Sequence, residues 1–240
     1  MNKYTKIIGS ILSPVDKIGD AREFSLLMKK KCIQQGVKFV HNTKVMGFSY
    51  SNNLVKKIHT SNGSFTCSDV IICAGSYTPI LTKLLGVYTP IIPLKGYSIS
   101  YKYKDREQVD KLLPYTIQDN YNNVGIIRFD STIRIAGLGD CMGYNYTFPK
   151  KRENFLHEIY HSFFPEKLYT SFSKWTGLRP LTPDSLPIIG RVYPFKNVYI
   201  NAGHGMFGWT MSAGSSLLLV NMITNNISRM NMGLFSLNRF

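Results

Sequence analysis

Acidic residues are scarce in this 240-residue chain. Its 14 Asp and Glu stand against 29 Lys and Arg, a formal charge of +15, and none follows Asp184. Such a deficit would suit an anionic partner, a nucleic acid or an anionic membrane surface. The basic residues are scattered, however, with short clusters only at Lys29-Lys30-Lys31 and Lys150-Lys151-Arg152. With so much Lys, Asn, Ile and Tyr they fit a codon-biased composition, and no specific nucleic-acid partner is expected. Cysteine is sparse too. Cys32, Cys67, Cys73 and Cys141 show no C-x-x-C spacing, which argues against a thiolate metal centre or a disulfide framework and for reduced thiols. Cys32 and Cys73 lie in apolar segments and are expected in the core.

Long apolar runs are missing. Leu217-Leu-Leu-Val220, like every other apolar run here, is too short to span a bilayer. Near the start, Lys3 and Lys6 precede Ile-Ile-Gly-Ser-Ile-Leu, which stops at Pro14 and has no A-x-A site, so no signal peptide is expected. The reading is a soluble, cytoplasmic chain in which the sequons at Asn62, Asn145 and Asn226 carry no meaning. Repeats and low-complexity linkers are absent as well. What is present is a hydrophobic fraction of 44% with 13% aromatics, enough for a substantial core and against disorder.

Asp20 and Glu23 read as a capping box, with Phe24, Leu27, Met28 and Cys32 at helical spacing and Gly36 as the stop. Val37 to Val40 alternates as a strand. Leu54–Thr60 and Ser64–Ser68 flank the turn Ser61-Asn62-Gly63, and Asp69 to Gly75 reads as a buried strand. Pro79–Leu85 reads as a short helix. Antiparallel strands are expected at Pro93–Tyr103, Tyr115–Gln118, Val124–Phe129 and Thr132–Leu138, and an amphipathic helix at Glu153–Phe164. A Pro-punctuated stretch from Thr176 to Gly190, a strand at Val198 and a helix from about Trp209 complete an α+β, or mixed α/β, pattern.

His157-Glu-Ile-Tyr-His161 matches H-E-x-x-H, a zinc-protease spacing. Leu156, Ile159, Tyr160, Phe163 and Phe164 form the apolar stripe of that helix, which turns His157 and His161 to the polar side, and Pro165 ends the helix before any third ligand. A solvated helix face is the expectation, and no metal is assigned. Gly203, Gly205 and Gly208 spell G-x-G-x-x-G between strand and helix. A dinucleotide turn needs an acidic residue about 20 positions on, and none exists here. What survives is a glycine-rich turn whose backbone N–H groups, with the positive helix end, can approach an anionic ligand. Arg179 precedes Pro180, which biases it towards an extended backbone suited to gripping a carboxylate. The alternative is a salt bridge to nearby Asp184.

These segments together resemble the D-amino-acid-oxidase-type FAD-dependent oxidoreductases, and among them the bacterial D-amino-acid dehydrogenases. The resemblance rests on G-L-R-P-L-T-P-D-S-L-P-I-I-G (177–190) followed by N-V-Y-I-N-A-G-H-G-M-F-G-W-T-M-S-A-G-S (197–215). It is extended by G-D-x-x-x-F (19–24), N-T-K-V (42–45), C-A-G-S-Y (73–77), P-L-K-G-Y-S (93–98), R-F-D (128–130) and K-W-T-G-L-R-P (174–180). It implies an incomplete FAD/NAD(P)-binding-type lobe interleaved with an antiparallel-sheet substrate domain of the D-amino-acid oxidase type. Residues 1–90 and 176–240 would form the flavin lobe and 91–175 the substrate domain.

By the same resemblance, the enzyme oxidises a D-amino acid such as D-alanine to a 2-oxo acid and ammonia, with hydride passing to FAD. Arg179 would clamp the substrate carboxylate, with Tyr97 and Tyr121 closing the pocket. Val45 would meet the adenine side through its backbone, and Ala74, Gly75 and Ser76 the nucleotide portion. Gly203, His204, Gly205, Met206, Phe207, Gly208, Trp209 and Thr210 would line the redox end of the flavin. Electrons would leave to a membrane quinone chain, with the basic surface in peripheral contact with the inner face of the cell membrane. Family members also carry an N-terminal βαβ unit with its own G-x-G-x-x-G, which has no counterpart here. The chain therefore looks like the C-terminal part of a split or truncated form, partnered by a separately encoded N-terminal half. A glycine- or sarcosine-oxidase-type flavoenzyme and a non-catalytic remnant that does not hold FAD alone are the other readings.

Overall fold

The computed structural model describes residues 9–166, 168–226 and 230–240. Lys3, Lys6, the first two isoleucines of the opening apolar run and the end of the Asn226 sequon lie outside them. Along the chain the elements are α1 (Ala21–Gln34), β1 (Val45–Ser51), β2 (Leu54–Thr60), β3 (Gly63–Thr66), β4 (Val70–Ile72) and α2 (Thr78–Lys83). Then come β5 (Ile92–Lys102), α3 (Arg106–Leu112), β6 (Ile117–Asp119), β7 (Val124–Phe129), β8 (Thr132–Cys141) and α4 (Lys150–Phe163). The chain closes with β9 (Ser171–Leu181), β10 (Ile188–Arg191), β11 (Val198–Ala202), α5 (Gly208–Ile223) and short 3-10 turns at Met232–Phe235 and Leu237–Arg239. The fold is mixed α/β, with its sheets largely antiparallel.

Two compact units are woven from alternating stretches. The first takes the described residues of Met1–Gly36, Lys95–Asp140 and Asn145–Gly177; the second takes those of Val37–Leu94, Cys141–Tyr144 and Leu178–Phe240.

The first unit is organised by a five-stranded sheet in the order β6-β7-β8-β5-β9. Side chains alternate faces along a strand, so β5 sends Tyr97, Ile99 and Tyr101 to one side, and Tyr103 just beyond it joins them. There they meet Val124 and Ile126 of β7, Ile133 and Ile135 of β8, and Leu156, Ile159 and Tyr160 of α4. Pro180 has no N–H to give a ladder, and it is tolerated because β9 is an edge strand. The prolines hid that strand from sequence reading. Short α3 was not anticipated either: Asp105 caps it by accepting the Gln108 N–H at 2.9 Å, but a single buried residue, Val109, gives too little periodicity to detect.

In the second unit, β10-β11-β4 form one sheet and β1-β2-β3 another. β11 runs parallel to β4, with Val198 beside Val70 and Ile200 beside Ile72, and antiparallel to β10. Their apolar residues pack with Ile188, Leu85, Ile91, Val192 and Phe195, while α5 lays Leu218, Leu219 and Met222 against Ile189 and Tyr199. Asn197 ties the two sheets together: its side chain accepts the Val55 N–H at 2.9 Å and donates to Val55 O at 2.8 Å and Ser68 O at 2.6 Å.

Three expectations are corrected. Residues 37–40 join no sheet of the described residues, and Val37 and Val40 are exposed; alternation alone does not supply a ladder partner. Cys73 is exposed and Cys32 only half-buried. Val70 and Ile72 take the inner face of β4, which leaves the alternate positions Ile71 and Cys73 outward. His157 does not lie on a solvated face. Its Nδ1 is 2.7 Å from the Tyr101 hydroxyl and its ring meets Phe172 edge-on. The buried stripe of α4 is broad enough to include it, because Glu153 on the same side is itself buried and bonded to Lys174 at 3.0 Å.

Candidate functional site

β4 and β11 are parallel neighbours, so the segments that follow them, Cys73–Tyr77 and Gly203–Phe207, leave the sheet on the same edge. The carboxyl edge of parallel strands is where open α/β sheets bind ligands, since loops and helix N-termini converge there. β9 carries Arg179 to this edge, and the backbone on both sides of Arg179 is held. Ser76 Oγ donates to Leu178 O at 3.0 Å, and the Gly205 N–H donates to Pro180 O at 2.8 Å. Leu181 forms a β-bridge with His204. Arg179 is thus bracketed by the C-A-G-S-Y segment and by the glycine turn. Burial pushes its pKa down, yet a guanidinium stays charged across the working pH range.

The turn is fitted closely to β9. A Cβ on Gly203 would lie 2.7 Å from Thr182 Cγ2, and its φ of +82° is one that side-chain-bearing residues avoid. Behind the turn, α5 begins at Gly208 with Phe207 as its N-cap, no side-chain capping bond and no acidic residue in its first turn. Its first N–H groups have no intrahelical acceptor and carry the positive end of the helix dipole. Three buried polar atoms in this unit lack a hydrogen-bond partner among the described residues: Thr78 Oγ1 beyond β4, Asn201 Oδ1 on β11 and His204 Nε2 in the turn. Orphaned polar atoms are rare in native interiors; here they follow or flank the two parallel strands. Burial also lowers the pKa of His204, which favours its neutral imidazole.

Tyr144, in a loop with no periodic signal, was not picked out from the sequence. Its hydroxyl donates to Ser76 O at 2.9 Å and its ring stacks on Tyr77, which fixes the short 3-10 turn Gly75–Tyr77. Asp184, the alternative partner for Arg179, is instead held by Arg239, with Nε–Oδ2 at 2.7 Å and Nη2–Oδ1 at 3.0 Å. Arg239 draws the Asp184 pKa down to about 2.

Val45 opens β1 opposite Thr60, in the other sheet of the same unit. Met206 and Phe207 are exposed, as is Trp209 in the first turn of α5, while Thr210 follows it on the helix. Tyr97 and Tyr121 belong to the first unit. Tyr97 is 1% exposed and donates its hydroxyl to Asp140 at 2.6 Å; burial and that carboxylate push its pKa up to about 12. Tyr121 lies in the β6–β7 turn and is 79% exposed. No group of three or more His, Cys, Asp or Glu able to hold a metal occurs among the described residues. No helix among them is long and apolar enough to cross a membrane.

Residues 2–222 match the family model described as DAO, FAD dependent oxidoreductase. The chain belongs to that family. Among curated relatives of this DAO-family chain, the D-amino acid dehydrogenase of Vibrio atlanticus (strain LGP32) is 36% identical over 238 residues, 98% of this chain and 56% of that protein. The D-amino acid dehydrogenase of Neisseria gonorrhoeae (strain NCCP11945) is 35% identical over 238 residues, 98% of this chain and 55% of that one. The chain therefore spans about half the length of the curated relatives it matches. Among solved structures, glycine oxidase from Geobacillus kaustophilus superposes with a TM-score of 0.80 at 20% identity, over 92% of this chain and 58% of that one. L-proline dehydrogenase from P. horikoshii gives 0.79 at 21%, over 91% and 59%. The DAO-type fold is common to all.

Proposed function

We propose that this DAO-family chain takes part in FAD-dependent oxidative deamination of D-amino acids with small side chains, D-alanine among them. Residues 1–90 and 176–240 are read as the flavin-binding lobe and residues 91–175 as the substrate domain. The observation that carries the reading is the bracketing of Arg179 between the Ser76 and Gly205 hydrogen bonds. It brings Arg179, read as the carboxylate clamp, together with Ser76 and Gly205, whose segments are read as facing the cofactor.

FAD, when bound, supplies a two-electron acceptor for the hydride that leaves the substrate α-carbon. Ala74, Gly75 and Ser76 would lie against its nucleotide portion and Val45 beside the adenine. The Gly203–Thr210 segment would face the redox end. The residues fit such a group: the orphaned polar atoms Asn201 Oδ1, Thr78 Oγ1 and His204 Nε2 want partners, and Gly75 has open space where a Cβ would stand. Arg179 binds and orients the substrate carboxylate through paired N–H donors, so the α C–H is presented in one pose. The α5 N-terminus offers N–H groups and a positive dipole to negative charge gathering at that end of the site.

The reading includes a companion polypeptide that carries the phosphate-binding loop. Two features support it. α1 buries no residue although it carries Leu26, Leu27, Met28 and Ile33, and β4 lies at the edge of its sheet. Transfer of electrons onward to a membrane quinone, with peripheral docking aided by the charge of +15, belongs to the same proposal.

The test is co-expression with the N-terminal half of a DAO-family dehydrogenase, followed by flavin absorbance and dye-linked oxidation of D-alanine, glycine and sarcosine. A yellow complex that prefers D-alanine is the expected result. Arg179→Ala should then lower kcat/KM by about 100-fold or more while the flavin spectrum stays. A preference for glycine or sarcosine would overturn the substrate, and a colourless complex the function.

A further inference from the structure

The C-terminal tail carries an arginine that does more than cap a turn. Arg239 directs four hydrogen bonds at two segments. Nε and Nη2 fork onto the Asp184 carboxylate, Nη2 also donates to Leu186 O at 2.7 Å, and Nη1 donates to Ser236 O at 3.0 Å in its own tail. The Arg239 side chain is 13% exposed, well shielded for a penultimate residue of the sequence.

Asp184 and Leu186 are the far side of a tight loop that returns from β9. The Leu186 N–H donates to Asp184 Oδ1 at 3.1 Å, and Thr182 Oγ1 donates to Leu186 O at 2.8 Å. Ser185 is held at a φ of +62°, a conformation such a residue adopts only where its surroundings impose it. Leu186 O is therefore shared between Arg239 and Thr182, and Thr182 is 2% exposed with its methyl against Gly203. One short path of contacts runs from the tail, through the loop, to the glycine turn that brackets Arg179.

We infer that Arg239 is a positioning residue of the site. By fixing Asp184 and Leu186, it sets Thr182 against Gly203, and with it the register of β9 on the Gly203–Gly205 turn. A bidentate charge-assisted pair is suited to this because it fixes an angle as well as a distance. The charge on Asp184 persists throughout the neutral and mildly acidic range, since Arg239 holds its pKa at about 2. The consequence for substrate rests on the function proposed above; the mechanical linkage does not.

Amide hydrogen exchange on the isolated chain tests the linkage without cofactor. Arg239→Leu and Asp184→Asn should each speed exchange of the Gly205 N–H, bonded to Pro180 O, by about tenfold or more, while Ile200 in the centre of β11 changes less than about twofold. Asp184→Glu, which keeps the charge, should bring Gly205 back to within about threefold of the unaltered chain. If Gly205 is unmoved, or if Gly205 and Ile200 accelerate together, the latch is refuted. Should Arg239→Leu fail to fold, Asp184→Asn alone carries the comparison. In the flavin-loaded complex, Arg239→Leu should raise KM for D-alanine roughly fivefold and leave kcat within about twofold. An unchanged KM overturns the extension to the substrate clamp. A complex that never turns over D-alanine refutes the function instead, and leaves the exchange result to judge the latch.

Discussion

Replacing Gly203 and Gly75 with alanine, one at a time, separates two reasons a glycine can be required at this edge. Both have positive φ, +82° and +54°, so each alanine pays for a left-handed backbone, about 1–2 kcal/mol. Their surroundings differ. A Cβ at Gly75 meets nothing within 4 Å, whereas at Gly203 it lies 2.7 Å from Thr182 Cγ2 and 3.5 Å from Ile91 Cδ1. Thr182 cannot rotate away without surrendering its bond to Leu186 O. Overpacking of that kind costs about 1–3 kcal/mol. Gly203→Ala should therefore destabilise by about 2–5 kcal/mol and Gly75→Ala by only about 1–2. Urea unfolding followed by fluorescence reads this directly. The chain has tryptophans only at 175 and 209, so a Trp175→Phe background makes Trp209 a reporter within the second unit. Equal losses for the two variants would show that φ alone demands the glycine at 203. The close fit of Thr182 to the turn would then carry no energetic weight.

Two pH predictions follow from the buried groups. Burial lowers the pKa of both His157 and His204, so the unfolded chain, titrating near 6.5, binds protons that the folded one refuses. Their contribution is present above that value and is lost as pH falls through the folded values. The urea midpoint should drop between about pH 7 and 5, and His157→Gln or His204→Gln should each make the slope shallower; an unchanged slope in both variants refutes the assignment. Asp140 is held below the usual carboxylate range, first by Arg152 and then by the Tyr97 hydroxyl. Its contribution is present above about pH 4 and is lost as the carboxylate is protonated in more acid solution. Arg152→Ala should cost about 1 kcal/mol at neutral pH after solvent screening, and should flatten the acid limb of a thermal-midpoint profile. An acid limb as steep as before would refute it.

The elements legible in the sequence are those whose signal is local. Val124–Phe129 reads as a strand because it is a short run rich in β-branched and aromatic residues, and β7 has those bounds. Asp20 reads as a helix start because a carboxylate three positions before Glu23 reaches the Arg22 and Glu23 N–H groups at 2.8 and 3.1 Å. The illegible features are those decided by a partner far along the chain. Proline in β9 is permitted by the strand's edge position, which only the sheet order reveals. His157 turns inward because Tyr101, on β5, offers a hydroxyl to its Nδ1 and Phe172, on β9, an edge-on ring. Asp184 sits five residues from Arg179 and invites a local pair, yet Arg239 takes it with two aligned N–H donors and two further carbonyl bonds.

That outcome bears on how the site is built. A local Arg179–Asp184 bridge would satisfy the charge of the clamp with a side chain from its own loop. Instead the carboxylate is spent on the tail, and Arg179 is positioned through its backbone, by Ser76 at Leu178 and by Gly205 at Pro180. Backbone anchoring on both sides fixes where the Arg179 side chain starts from β9. The glycine turn takes part in the same bracket, so a displacement of the turn moves Arg179 with it. On the function proposed above, Arg179 and the glycine turn coupled in this way keep their spacing when the loop shifts. Two glycines of the G-x-G-x-x-G pattern are explained on these terms: Gly203 clears Thr182, and Gly205 takes a φ of +55° where its N–H bonds β9.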